Sequence, residues 1–267
     1  MSLLRVYAIV LRQYYLIRGS FSRFLPLFMW VAVDMVLWGF LSRYLNTVTT
    51  PGMDFVPKLL GAVLLWDFLT RVMQGVTIAF LEDVWSRNFL NFFATPLSVA
   101  EYVGGLVVTS ILTSMVGLAV MLVLATTVFG LPFLSYGLAT LPFLGILFLS
   151  GISLGIFASA LVLRLGPAAE WFIWPIPAMI SPFAGVFYPV ETLPVWMRLV
   201  SLGLPPSYVF EGMRVSLTTG TVPGDMLLWG GALSFLYLGL SYWFFRQTYR
   251  YAIRTGLIAR YSAESVS

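Results

Sequence analysis

The chain contains no cysteine and no histidine, and a single lysine among 267 residues. Without thiols or imidazoles there are no disulfides, no thiol chemistry, no Ser-His dyad, no haem ligation by His and few ways to hold zinc. Intramembrane metalloprotease and rhomboid-like serine protease mechanisms fall with them. An aspartyl mechanism needs two carboxylates sharing one water, and neither a Tyr-Asp nor a Gly-x-Gly-Asp element is present. The one lysine, Lys58, sits in Val-Pro-Lys-Leu-Leu-Gly. A phosphate-binding P-loop instead needs Gly-x-x-x-x-Gly-Lys-Ser/Thr, whose amides cradle the phosphates while the lysine neutralises them. The chain is therefore not expected to act as an enzyme, and it is expected to bind no cofactor or metal.

Charge is scarce as well, at 10% of residues, against 60% hydrophobic residues and a mean hydropathy of +0.92. Soluble domains carry about 25% charged residues, so the expected fold class is an all-α integral membrane protein. Apolar windows fall at about 24–44, 56–81, 102–129, 136–163, 171–188 and 225–245. Each can cross about 30 Å of hydrocarbon as a helix, whereas barrel strands need strict alternation, which is missing. Six transmembrane helices are expected. The fifth window is the shortest and carries Pro175, Pro177 and Pro182. Proline deletes helical hydrogen bonds, so a bend is expected there.

Arginines flank the outermost windows. Arg5, Arg12, Arg18 and Arg23 precede the first, and Arg246, Arg250, Arg254 and Arg260 follow the last. The positive-inside rule then places both termini in the cytoplasm, in the inner or plasma membrane. The net charge of +4 reflects this topology and anionic lipid contact, and no nucleic-acid partner is implied. Residues 1–23 do not read as a cleavable signal, because no small-residue cleavage site follows the first apolar run. Leu3, Tyr7, Val10, Tyr14, Ile17 and Phe21 instead recur at spacings of three and four, as on a helix lying in the interface and ended by Gly19. A simple topogenic anchor is the alternative.

The longest inner loop runs from Glu82 to Glu101. Trp85, Phe89, Phe92 and Phe93 share one helical face, and Pro96 stops the helix after Thr95. An aromatic face on a short helix at about 82–94 suits a groove on a partner, or equally a lipid surface. Inside the windows, Asp34 and Asp67 fall near mid-membrane, and Arg71 follows Asp67 by one helical turn. Such groups are costly in hydrocarbon and face protein or water, either as structural ion pairs or in substrate or proton passage. Gly151-x-x-x-Gly155-x-x-x-Ser159 forms a small-residue stripe for close helix approach, within the subunit or at a dimer seam.

Residues 182–214 are the most distinctive stretch, joining a proline-broken helix, an amphipathic segment, a Pro-Pro-Ser-Tyr turn and the Glu211/Arg214 pair. They read as a chain that dips back into the outer leaflet. The order of parts resembles the membrane subunit of a type 2 ABC exporter, a permease family that includes polysaccharide, teichoic acid and multidrug exporters. The resemblance rests on the basic first helix, the Ala94-Thr95-Pro96-Leu97-Ser98 end of the inner helix, and the block from Phe187-Tyr188-Pro189 to Leu193-Pro194-Val195-Trp196. It continues through Leu204-Pro205-Pro206-Ser207-Tyr208 and Glu211-Gly212-Met213-Arg214.

This resemblance implies one transmembrane domain over 24–267, preceded by a connecting helix at 1–23. It makes 82–94 the coupling helix that docks on a nucleotide-binding ATPase, with Glu82, Asp83, Trp85, Arg87, Phe89 and Phe92 as contacts. Short re-entrant helices within 189–214, before the last span, would shape the outer mouth, with Pro189, Pro194, Trp196, Tyr208, Glu211 and Arg214. ATP and Mg would sit on the partner ATPase, and a second permease copy, identical or a close paralogue, would complete the path for a polysaccharide, lipid-linked or drug-like substrate. The family's common Asn-Pro turn is replaced here by Leu204-Pro205-Pro206, which leaves that turn's geometry open. The competing reading is an ion-coupled secondary transporter using Asp34, Asp67 and Arg71, for which matching broken helices in two inverted halves are expected and not seen. A scaffold or membrane-assembly factor without transport is a third.

Overall fold

A computed structural model describes residues 2–21, 25–48, 59–86, 92, 95–131 and 140–257. Among them there is no strand. The helices are α1 (Leu3–Arg18), α2 (Pro26–Val48), α3 (Gly61–Trp85), α4 (Val99–Phe129), α5 (Thr140–Leu165), α6 (Glu170–Ile173), α7 (Pro175–Ile180), α8 (Val195–Leu202), α9 (Pro205–Thr219) and α10 (Gly224–Arg254). Short 3-10 turns at Pro167–Ala169 and Val190–Thr192 link them. The all-α membrane class expected from composition is what the structure has. Four described helices, α3, α4, α5 and α10, are long and apolar enough to cross a membrane. At 23 residues α2 has the length of a crossing as well.

The local chemistry accounts for the boundaries. Ser98 and Glu101 form a capping box at the start of α4, satisfying amide groups that a helix N-terminus leaves open. Gly130, at φ +70°, ends the same helix in a left-handed turn that a side chain would strain. Pro205 and Pro206 occupy the first turn of α9, where no intrahelical amide is needed. Gly19 caps α1, as its position after the apolar stripe implies.

Three boundaries differ from expectation. The second apolar helix does not stop at 81, because Glu82, Asp83 and Val84 contain no breaker and the helix runs on to Trp85. Residues 82–85 are thus the end of α3 and not the start of a separate helix, while 87–91, 93 and 94 lie outside the described residues. The last helix extends past 245 to Arg254, since no glycine or proline intervenes before Gly256. The window 171–188 is not one unbroken helix. Its prolines divide it at Trp174 into α6 and α7, and turns occupy the residues after Ile180.

Packing centres on α3 and α5. The Gly151/Gly155 stripe lies against α3, and a Cβ on Gly151 would come within 2.7 Å of the Leu69 carbonyl and the Val72 side chain. At Gly155 it would meet Val76 at 2.7 Å. The stripe therefore works within the subunit. On another face of α3, Gly75 lets α4 close in, and the Ser110 hydroxyl donates to the Val72 carbonyl at 2.7 Å. Helix α10 lies along α5, where Ser150 and Ser234 bond at 3.1 Å, and α9 packs on both. Helix α2 rests mainly on α4.

Candidate functional site

The polar groups gather in two places, at the end of α3 and in the segment between α7 and α9. At the first, Asp83 is fully buried and flanked by two donors from other helices. The Arg12 guanidinium of α1 bonds Asp83 Oδ1 at 2.5 Å, and the Tyr102 hydroxyl of α4 donates to Oδ2 at 2.7 Å. Phe92 closes the group: the Arg12 guanidinium stands 4.8 Å from its ring centroid, and the ring lies 5.9 Å from that of Tyr102. Gln13, also buried, donates from Nε2 to the Ala79 carbonyl at 3.3 Å. Three helices thus meet on one carboxylate, α1 from 71 residues away and α4 from 19. A buried ion pair of this kind holds only because both charges are answered by further hydrogen bonds.

Next to Tyr102 in the chain, Glu101 ties the starts of α1 and α4. Its carboxylate accepts from the Ser2 amide at 2.6 Å and the Ser98 amide at 2.9 Å, and Arg5 pairs with it at 3.3 Å. Arg5 also donates to the Pro96 carbonyl. Helix α1 meets this assembly with Val6, Ile9 and Gln13, which are buried, and Ile9 fills the space left by Gly105. The stripe of Leu3, Tyr7, Tyr14 and Phe21 faces outward, all four being exposed in the single chain. Trp85, about half exposed, donates from Nε1 to Glu170 Oε2 at 3.0 Å and so links the end of α3 to α6. Glu82 is half-buried on the last turn of α3.

Of the six residues expected to meet an ATPase, Asp83 and Phe92 are engaged within the chain, Trp85 is accessible, and Arg87 and Phe89 lie outside the described residues. Arg12, Tyr102, Glu101 and Glu170 complete the cluster, and none of them was expected from sequence as a site residue. Ser98-x-x-Glu101 was a readable capping signal. Nothing local marks Tyr102 or Glu170.

In the segment between α7 and α9, backbone carbonyls are answered by side chains. Arg214 donates from Nη1 to Glu211 Oε1 at 2.8 Å and from Nη2 to the carbonyls of Gly185 and Val186. Glu211 Oε1 accepts the Val190 amide at 2.7 Å. Burial pulls the Arg214 guanidinium below its ordinary pKa, and the Glu211 charge pulls it back up. The Tyr208 hydroxyl donates to the Leu202 carbonyl at 2.9 Å. Pro189 and Pro194 lead into the 3-10 turn and α8, their carbonyls accepting from Thr192 and Met197. Trp196 is exposed on α8 and meets Phe183 edge-on, with ring centroids 6.0 Å apart. Phe187 stacks on Trp38 of α2 at 5.3 Å.

Between the two groups lie the charges in the apolar interior. Asp34 on α2 and Asp67 and Arg71 on α3 are close enough to act on one another electrostatically. Asp67 Oδ2 is buried and accepts no hydrogen bond from the described residues. The Arg71 stem runs against Gly117 of α4, whose missing side chain makes room for it.

Residues 6–218 match the ABC-2 type transporter family, covering most of the chain and both polar groups. This chain belongs to the ABC-2 type transporter family. Comparison with curated proteins finds no match. As an ABC-2 membrane domain the chain is a multi-pass permease of an ABC transporter, and membership implies association with an ATP-binding subunit. The resemblance read from the basic first helix, the loop after α3 and the 182–214 block is thereby upheld at the level of family.

Proposed function

We propose that this permease forms the substrate path of an exporter, with two permease copies side by side and power supplied by separate ATPase subunits docking at the loop that follows α3. Family membership over residues 6–218 carries the reading, together with the missing P-loop. The Arg12–Asp83–Tyr102 group supports a mechanical role, because it ties the root of that loop to α1 and α4. A displacement applied there moves α3 with its neighbours as one body, since Gly75, Gly151 and Gly155 leave no slack between α3, α4 and α5. The interrupted fifth passage and the 189–214 segment then form the outer mouth, and both termini stay in the cytoplasm. Polysaccharides, lipid-linked molecules and drug-like compounds all suit a path lined by aromatic and apolar side chains.

Affinity purification from cells co-expressing neighbouring genes is expected to recover an ATPase, and vesicles holding the complex are expected to transport only with ATP. Permease that recruits no ATPase under those conditions overturns the reading. The buried Asp67 Oδ2, which has no hydrogen bond among the described residues, favours a second one, in which Asp34, Asp67 and Arg71 couple transport to ions. Transport driven by an imposed ion gradient without ATP, and lost in Asp67→Asn, would establish it.

A further inference from the structure

Between the outward stripe of α1 and the exposed face of α4 lies a groove of about 600 Å³. Tyr14, Ile17 and Phe21 form one wall, and Leu112, Thr113 and Val116 form the other. The threonine hydroxyls along it are already spent, Thr109 on the Gly105 carbonyl at 2.9 Å and Thr113 on the Thr109 carbonyl at 3.0 Å. Both walls are therefore apolar in effect. Ser20 and the Tyr14 ring add neutral polar groups, and the one charged residue of the lining is Arg18, exposed at the end of α1. Arg12 neutralises Asp83, but Arg18 has no acidic partner among the described residues, and no Asp or Glu lines the groove.

A slot of this size is ample for a small ligand, and its setting narrows the chemistry. Helix α4 is a membrane helix with a mean hydropathy of 2.4 over an 18-residue window, so what fills the gap beside it comes from the bilayer. A mostly apolar trough ending in one exposed guanidinium matches a molecule with a long hydrocarbon tail and an anionic head. We propose that the groove holds an acyl chain of an acidic glycerophospholipid whose phosphate group is bound by Arg18. A zwitterionic lipid has the same tail, but its ammonium group offsets the attraction to Arg18. A protein segment would have to bring a carboxylate to the same spot and would exclude lipid. The bound lipid completes the packing of α1 on α4 and makes the seat of α1 depend on the charge of its leaflet.

This inference needs only that the chain lies in a membrane, and no ATPase takes part in its test. Because the chain is free of cysteine, one cysteine placed at Met115, beside the groove, carries a fluorophore uniquely. In symmetric vesicles, brominated phosphatidylglycerol is expected to half-quench it at about 5-fold lower mole fraction than brominated phosphatidylcholine. A fluorophore at Leu236, on the exposed face of α10, is expected to show no such difference. Arg18→Gln should erase the preference at Met115, and Thr113→Trp, which fills the groove, should reduce quenching there to the Leu236 level. Equal quenching by the two lipids at Met115, a preference that survives Arg18→Gln, or protection of Met115 from both lipids overturns the proposal, the last by pointing to a protein occupant.

Discussion

The two polar groups of this permease are built on opposite plans. At the end of α3, a guanidinium from α1 and a phenol from α4 converge on one carboxylate, bridging 71 residues between Arg12 and Asp83. Between α7 and α9, Arg214 and Glu211 serve the backbone, answering carbonyls and an amide that lie outside regular helix. The first plan holds elements together that are each helical without it. The second makes an irregular stretch of chain tolerable in an apolar setting, where an unanswered backbone group costs several kcal/mol. Strong coupling between distant helices and local repair of broken backbone are thus separate tasks, assigned to separate ends of the molecule.

The sharpest way to break this contrast is Asp83→Ala. Removing the shared partner leaves the Arg12 charge and the Tyr102 hydroxyl unanswered, at a cost of about 3–5 kcal/mol. Thermal unfolding of the detergent-purified chain should show the loss, and proteolysis should release α1 first. Arg12→Ala combined with Asp83→Ala should cost less than the sum of the two, which a double-mutant cycle reads directly. Arg214→Gln comes next. It leaves the Gly185 and Val186 carbonyls and Glu211 short of donors, at about 1–3 kcal/mol. Its damage should stay local, with faster hydrogen exchange across 183–190 and little change at α1. If Arg214→Gln loosened α1 as much as Asp83→Ala does, the separation of tasks would be refuted. Trp85→Phe should have the smallest effect on stability, below about 1 kcal/mol, because the bond to Glu170 is exposed. A loss of ATPase recruitment in Trp85→Phe, with unfolding unchanged, would place that ring at the partner surface.

How far the sequence discloses this depends on whether a feature is periodic. The long apolar helices follow from window length and hydropathy, and the break at Trp174 from Pro175 and Pro177. The Gly151/Gly155 stripe announces close packing by its four-residue repeat, and only the structure shows that α3 is the helix it meets. For α1 the apolar stripe is legible, yet the side that binds the rest of the chain is a different one, with Val6, Ile9 and Gln13. The pairing of Arg12 with Asp83 has no period at all. It is fixed by how three helices cross, which no local pattern records. The extension of α3 to Trp85 was hidden by reading a charged pair, Glu82 and Asp83, as the end of a crossing, although charged residues propagate a helix readily once it leaves the hydrocarbon.

One carboxylate, that of Glu101, accepts from amides at the starts of both α1 and α4, and those two amides belong to residues nearly a hundred positions apart. The ribosome delivers the first of these helices long before the second. Until α4 emerges, α1 has neither its anchoring acid nor the cover that Gly105 provides for Ile9. The amino-terminal helix must then wait for α4 before it takes its seat, whereas α5 to α10, which follow later in the chain, contribute none of these anchors.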